Sequence, residues 1–187
     1  IKISYEGVSD KKTLINMTNH TYFNLAGHDS GSIEKTKLMI KASHYTPVVA
    51  GAIPVGQIAP VKGTVMDFTA EKTIGEDIGA AFDQLLLVKG YDHNYVVDDY
   101  TGKSQLIATA EADGRKMEVY SDLPGVQFYA GNCIAPQEGK DGASYSPRTG
   151  FCLETQYFPN SVNDPAFAHP VFDAGTKYET TTVYRFV

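Results

Sequence analysis

Hydrophobic and polar residues alternate with a period of two over many short stretches of the chain, which is typical of β-strands with one buried face. No segment keeps apolar residues at helical spacing over three turns, and only residues 72–78 indicate a short helix. Glycine, proline and aspartate turn residues between the strands favour an antiparallel sandwich or barrel. The predicted strands are 1–6, 14–23, 37–42, 84–87, 93–97, 105–112, 116–121, 126–131, 150–156 and 180–186.

The stretch 44–63 differs from the rest because three prolines and three glycines interrupt it. The apolar residues between these breakers would be costly to leave in water. We therefore predict an ordered, extended loop over a rim of the fold.

Length, charge and cysteine content limit the classes of function. A chain of 187 residues fits one domain, residues 1–187, which buries roughly 70% of its unfolded surface. The net charge of −6 and the absence of a basic cluster argue against nucleic acid as a partner. No apolar run approaches the roughly 20 residues that span a bilayer, so no membrane partner is expected. Two cysteines, Cys133 and Cys152, predict reduced thiols in a cytoplasmic protein.

His20 lies in a predicted strand that is dense in hydrogen-bonding side chains. Strand alternation places Thr18, His20 and Tyr22 on one face. A lone histidine in a strand is more often a structural residue than a catalyst. The neighbouring Asn19 and Asn24 favour the alternative, a polar cleft.

Glu154 lies in the middle of another predicted strand and shares a face with Cys152 and Gln156. Carboxylates are depleted in strand interiors, so Glu154 is either an exposed edge residue or a base in a cleft. The apolar Phe151 and Leu153 on the opposite face favour the cleft.

Two further segments carry candidate binding residues. Alternation places Gln127 and Tyr129 together, and an amide beside an aromatic ring suits the hydroxyls and the C–H face of a sugar. Asp92 begins a segment rich in polar residues, although aspartate there is also a common turn residue.

No motif for a metal or a cofactor stands out. The five histidines show no pairing with carboxylates at ligand spacing, and the chain has neither a glycine-rich phosphate loop nor a Gly-x-Ser-x-Gly motif. We therefore expect no metal and no cofactor, which leaves acid/base chemistry.

Five segments, in this order, closely resemble the aldose 1-epimerase family, and the final strand 178–186 also looks like that family's last strand. The resemblance covers nearly the whole chain and implies the family's fold, a large antiparallel β-sandwich. The five segments are Thr18-Asn19-His20-Thr21-Tyr22-Phe23-Asn24-Leu25, Tyr45-Thr46-Pro47 with Pro54-Val55-Gly56, Asp92-His93-Asn94, Pro124-Gly125-Val126-Gln127-Phe128-Tyr129, and Leu153-Glu154-Thr155-Gln156.

The resemblance implies an isomerase that interconverts the α and β anomers of a free aldohexose, such as glucose or galactose. By the family's pattern, Glu154 is the base that takes the proton from the C1 hydroxyl, and His20 is the acid that protonates the ring oxygen. Asp92 and Gln127 match positions that hold sugar hydroxyls. Carboxylates and imidazoles, with reference pKa values of about 4.3 and 6.5, suit these roles near neutral pH.

The chain departs from the family's pattern in one respect. Members also have an N-terminal half with an arginine and a further histidine at the sugar site, and those segments are absent here. The chain also opens inside a predicted strand at Ile1. We therefore expect an incomplete sandwich with an open sheet edge, or a separate chain that supplies the N-terminal segment.

Three alternatives remain at this point. The first is a carbohydrate-binding module without turnover, which would present aromatic residues on a flat face rather than Glu154 opposite His20. The second is an epimerase acting on hexose 6-phosphates, which needs basic residues at the pocket rim. The third is a fragment with only a structural role.

Overall fold

Antiparallel strands form most of the regular structure in a computed structural model that describes residues 1–187. One sheet has six strands in the spatial order β1 (Lys2–Gly7), β17 (Tyr178–Phe186), β11 (Arg115–Ser121), β10 (Gln105–Ala112), β3 (Lys37–Ile40) and β8 (Lys72–Thr73). A second sheet has five, in the order β15 (Cys152–Gln156), β12 (Gly125–Tyr129), β9 (Asp92–Val96), β4 (His44–Tyr45) and β7 (Ala59–Pro60).

Short elements complete the structure. Three pairs of two-residue strands are β2 (Thr13–Leu14) with β16 (Val171–Phe172), β5 (Val48–Val49) with β6 (Ile53–Pro54), and β13 (Gln137–Glu138) with β14 (Ser144–Tyr145). The helical segments are α1 (Asp83–Val88) and the 3-10 turns Ile33–Lys35, Lys140–Gly142 and Ser161–Asn163. None of these segments has the length and apolarity that crossing a bilayer requires.

The two large sheets pack face to face around one hydrophobic core, to which both contribute. Phe128 of β12 lies at its centre, with ring centroids 5.2 Å from Tyr91 and 5.4 Å from Phe68. Polar contacts also join the sheets, since the hydroxyls of Thr155 in β15 and Thr182 in β17 are 2.5 Å apart. This architecture confirms the predicted antiparallel β-sandwich.

Tyr184 of β17 fixes the position of β15 from inside the core. Its hydroxyl donates to the Leu153 carbonyl at 2.7 Å and also contacts the side-chain amide of Asn19.

Tyr184→Phe should therefore lower the free energy of unfolding by about 1–3 kcal/mol, because buried polar groups lose their partner. Urea denaturation would measure the loss. Tyr120→Phe is the control, since that hydroxyl bonds Glu118 at a less buried position; an equal loss in both variants would contradict a special role for Tyr184.

Most predicted strands are confirmed to within two residues at each end: 1–6, 37–42, 93–97, 105–112, 116–121, 126–131, 150–156 and 180–186. Two other predictions were wrong. The predicted helix 72–78 is the short strand β8 followed by turns, in which Gly75 packs so closely that a Cβ there would lie 2.7 Å from Glu34 Cβ. The predicted strand 84–87 is instead part of helix α1, which is followed by Lys89 in a left-handed conformation. A short run of apolar residues fits either structure.

The predicted strand 14–23 was also wrong over most of its length. Only the start belongs to a strand, β2, and Phe23 forms an isolated bridge with Phe151. Between these two points, the Asn16 side chain makes the hydrogen bonds to Tyr157 that a neighbouring strand's backbone would otherwise make. It accepts from the Tyr157 N–H at 2.9 Å and donates to the Tyr157 carbonyl at 3.0 Å. Residues 17–22 therefore run beside β15 as an irregular segment held at both ends, which we call the His20 segment.

The stretch 44–63 was predicted as one extended loop but contains four short strands, of which β4 and β7 belong to the second sheet, and most of its apolar residues are exposed. Val48 is buried, and its backbone pairs with the Gln84 side chain of α1 at 2.7 and 3.1 Å. The exposed apolar residues are Val49, Ile53, Val55 and Ile58, each 44–49% accessible. The pairing of β5 with β6 and the contacts with Gln84 thus fix the backbone of this stretch without burying these side chains.

Candidate active site

The register of β9, β12 and β15 gathers polar side chains on the face of the second sheet that points away from the core. The residues that alternate with these polar ones, such as Phe128 and Leu153, point into the core, as the alternation predicted. The polar side chains form two rows across the three strands: Asn94, Gln127 and Glu154 in one, Asp92, Tyr129 and Cys152 in the other.

His20 reaches this face from the His20 segment. Its Nε2 lies 3.2 Å from Glu154 Oε1, and its Nδ1 lies 3.4 Å from Cys152 Sγ. The His20 side chain is half exposed, whereas the Glu154 side chain is only 10% accessible. The histidine therefore covers a buried carboxylate at the surface of the cleft. His20 and Tyr22 both face this cleft although the segment is not a strand.

Burial raises the pKa of Glu154 from 4.5 to about 7. Desolvation of the carboxylate is the largest cause; the His20 charge lowers the pKa, and the Asp92 charge raises it again. A carboxylate with such a pKa exchanges protons readily near neutral pH.

A chain of side-chain hydrogen bonds crosses the three strands beside this pair. Gln127 Nε2 donates to Asp92 Oδ1 at 2.8 Å, and Gln156 Nε2 donates to Gln127 Oε1 at 3.2 Å and to Asn94 Oδ1 at 3.3 Å. Gly125 gives Asn94 its space, since a Cβ at that position would lie 2.4 Å from Asn94 Oδ1. The network holds Asp92 and Gln127 in fixed positions near Glu154 and His20.

Aromatic rings surround the imidazole. The ring centroid of His20 lies 5.1 Å from that of Tyr22 and 6.1 Å from that of Tyr129. The two tyrosine rings are 6.2 Å apart and nearly perpendicular. Such rings can pack against the C–H face of a sugar while the amides and carboxylates bond its hydroxyls.

A cavity of about 880 Å³ adjoins the cleft, with Tyr22 on the boundary between them. Apolar side chains such as Phe23, Ile134 and Phe186 form much of its lining. None of His20, Asp92, Gln127 or Glu154 lines it. The four candidate residues therefore lie on the polar face of the sheet, outside this cavity.

The structure brings together all four residues that the sequence singled out. It also adds Cys152, which the sequence placed on the same face as Glu154 without giving it a role. Its partner His20 is 132 residues away along the chain, so no spacing rule could have joined them. His93, next to Asp92, is fully buried, and desolvation lowers its pKa to about 4, which indicates a structural residue.

Comparison with known sequences gives a consistent result. A sequence model of the family described as aldose 1-epimerase matches residues 1–185. Galactose mutarotase from Homo sapiens is 38% identical over 186 residues, which are 98% of this chain and 53% of that protein. Aldose 1-epimerase from Escherichia coli K12 is 36% identical over 191 residues, covering 100% of this chain and 55% of that protein. The chain thus spans about half the length of the curated relatives it matches.

Solved structures show the same fold. An aldose epimerase homologue from C. elegans superimposes with a TM-score of 0.86 at 23% identity, covering 100% of this chain and 55% of that one. Galactose 1-epimerase from Lactobacillus acidophilus NCFM superimposes with a TM-score of 0.84 at 27% identity, covering 100% and 52%.

Proposed function

Because the chain belongs to the aldose 1-epimerase family, we propose that it interconverts the α and β anomers of free aldohexoses such as glucose and galactose. The observation that carries the proposal is the 3.2 Å contact between His20 and Glu154. Exchange of anomers needs a base at the C1 hydroxyl and an acid at the ring oxygen. Both oxygens are bonded to C1, so the acid and the base must lie close together. Polarimetry of freshly dissolved α-D-galactose tests the activity directly.

The proposed reaction uses these two side chains in succession. Glu154 takes the proton from the C1 hydroxyl, the electron pair forms the C1 carbonyl, and the bond from C1 to the ring oxygen breaks. His20 delivers a proton to that ring oxygen from Nε2, the nitrogen that faces Glu154. Rotation about C1–C2 presents the other face of the aldehyde. Ring closure, with the two roles reversed, then gives the other anomer.

Binding falls to the neighbouring side chains in this proposal. Asp92 and Gln127, already joined by a hydrogen bond, hold sugar hydroxyls, and the rings of Tyr22 and Tyr129 pack against the C–H face. Family membership supports the choice of a free sugar as the substrate.

The proposal predicts a rise of kcat/KM with pH through about 7. Glu154 acts as a base only when deprotonated, and burial raises its pKa from 4.5 to about 7. Activity should therefore fall as the pH drops below that value, well above the range of an exposed glutamate. Mutarotation rates measured from pH 5 to 9 would show it, after subtraction of the buffer-catalysed rate. A profile flat between pH 5 and 7 would assign the base elsewhere.

Asp92→Asn should shift this profile to lower pH and also raise KM. The Asp92 carboxylate raises the pKa of Glu154, and its removal leaves the base easier to ionise. Loss of a charged acceptor for sugar hydroxyls weakens binding. The control is Asp99→Asn, which removes the same charge from an exposed position. An identical pH profile in all three proteins would contradict the electrostatic link.

The two rival functions find less support. A binding module has no need of an acid and a base in contact, and the 3.2 Å pair therefore favours the enzyme. A hexose 6-phosphate would need basic groups, whereas the charges that act on Glu154 are those of His20 and Asp92.

We further propose that residues 1–187 form the C-terminal part of a longer sandwich. In this proposal an N-terminal segment, carried by the same polypeptide or supplied by a separate chain, completes the sugar site. The coverage of 53–55% of the relatives supports this. So does β1, which lies at the edge of its sheet, and so do exposed apolar side chains such as Phe186. The free thiols Cys133 and Cys152 support a cytoplasmic location for the whole protein.

A further inference from the structure

We propose that His20, Cys152 and Glu154 form a binding site for a borderline or soft divalent cation such as Zn²⁺. One donor atom of each residue lies within 4.8 Å of the donors of the other two. Imidazole nitrogen, thiolate sulfur and carboxylate oxygen are the three donor types that zinc takes from proteins. Binding by itself does not depend on the proposed function, whereas its effect on activity does.

The separations match tetrahedral coordination after a small shift. Bonds of about 2.0–2.3 Å to zinc place neighbouring donors about 3.3–3.8 Å apart. His20 Nδ1 is 3.4 Å from Cys152 Sγ and His20 Nε2 is 3.2 Å from Glu154 Oε1, and with one donor atom taken from each residue the three donors lie within 4.8 Å of one another. Movements of about 1 Å therefore suffice. Rotation of the Cys152 and Glu154 side chains can supply part of them, and the half-exposed His20 ring can supply the rest, because it stands on the irregular His20 segment rather than within a sheet.

The charge around the site also favours a cation. Burial is the main cause that raises the pKa of the Cys152 thiol, and the nearby carboxylates of Glu154 and Asp92 raise it further. A divalent cation would neutralise these charges. Its binding replaces the thiol proton, which is released to solvent, by a metal–sulfur bond.

The donor set selects the kind of cation. A buried thiolate is a poor ligand for Mg²⁺ or Ca²⁺, which prefer oxygen donors, and a good one for Zn²⁺ or Co²⁺. Three protein ligands leave a fourth position open for water or a sugar hydroxyl. Because the cation would occupy the electron pair with which Glu154 takes a proton, it would block the proposed base and so inhibit the enzyme.

Titration of the whole chain with Co²⁺ tests the site without an activity assay. We expect a thiolate-to-cobalt charge-transfer band in the near ultraviolet, which Zn²⁺ abolishes by displacing the cobalt. Cys152→Ser should remove the band and weaken binding at least about 100-fold, since even residues that only support a ligand contribute 10–100-fold. Cys133→Ser is the matched control, because Cys133 is the other free thiol and is exposed.

Because Cys152 is fully buried, His20→Asn serves as a second variant that removes a ligand from a half-exposed position. Circular dichroism checks that each variant is folded. The proposal is overturned if no band forms, or if Cys133→Ser loses the band while Cys152→Ser keeps it. Binding at the proposed residues without inhibition of mutarotation would confirm the metal site and contradict the proposed role of Glu154 as the base.

Discussion

Glu154→Gln is expected to lower kcat by about 10²–10⁴-fold while leaving the fold intact. Glutamine keeps the shape of the side chain and its hydrogen-bonding capacity, but it cannot take a proton. Because we assign sugar binding mainly to other residues, KM should change far less than kcat. Polarimetry at several sugar concentrations separates the two constants. A variant with a near-normal kcat would show that another group is the base.

The same substitution should have a distinct effect on stability. The pKa of Glu154 is about 7 in the folded chain against an ordinary 4.5, so the native state resists ionisation that the unfolded chain permits. The protonated Glu154 side chain therefore contributes fully to the free energy of unfolding below pH 4.5. This contribution falls as the pH rises from 4.5 and is lost once the pH passes 7. At pH 8 the glutamine variant should therefore be more stable than the unsubstituted chain by a few kcal/mol, because each tenfold change in an ionisation equilibrium corresponds to about 1.4 kcal/mol. At pH 4 the two should be nearly equal. Equal stability at both pH values would contradict the burial of an ionised carboxylate at this position.

His20→Asn is also expected to have a large effect, a loss of about 10²–10⁴-fold in kcat. Asparagine can donate a hydrogen bond to the ring oxygen, but it cannot transfer a proton to it. The side chain of His20 is half exposed, so the substitution should leave stability nearly unchanged. His44→Asn is the control, since His44 is an exposed histidine that pairs with Ser43.

The double variant of Glu154 and His20 gives a sharper test of their joint role. When two residues act as one unit, substituting either one removes most of the rate enhancement that both provide. The double variant should therefore be scarcely slower than either single variant. Losses that multiply would mean that the two residues act independently, which the proposed mechanism does not allow.

The sequence was informative wherever a strand is packed on one face only. Alternation correctly placed Glu154 with Cys152 and Gln156, and Gln127 with Tyr129, because a shift of one residue would have turned Leu153 and Phe128 out of the core. The family resemblance then identified which polar residues on that face were candidates for chemistry.

Other features depend on contacts that are distant in the sequence. The His20 segment has a strand-like pattern, yet the Asn16 side chain takes the place of the backbone ladder beside Tyr157. The run 84–87 lies in a helix whose Gln84 side chain pairs with the backbone of Val48, a contact that no local pattern specifies. Likewise, the contact between Cys152 and His20 exists only once the segment lies against β15.

Glu154 and His20 are proposed to catalyse anomer exchange together. The most direct measurement is the polarimetric rate of mutarotation of α-D-galactose and α-D-glucose, with this chain alone and with a chimaera in which it replaces the matching 186 residues of human galactose mutarotase. Each is compared with its own Glu154→Gln version. We expect a rate well above that of buffer for the chimaera, and a return to nearly the buffer rate in the variant. A chimaera that is folded but no faster than buffer, or equally fast with glutamine at position 154, would contradict it.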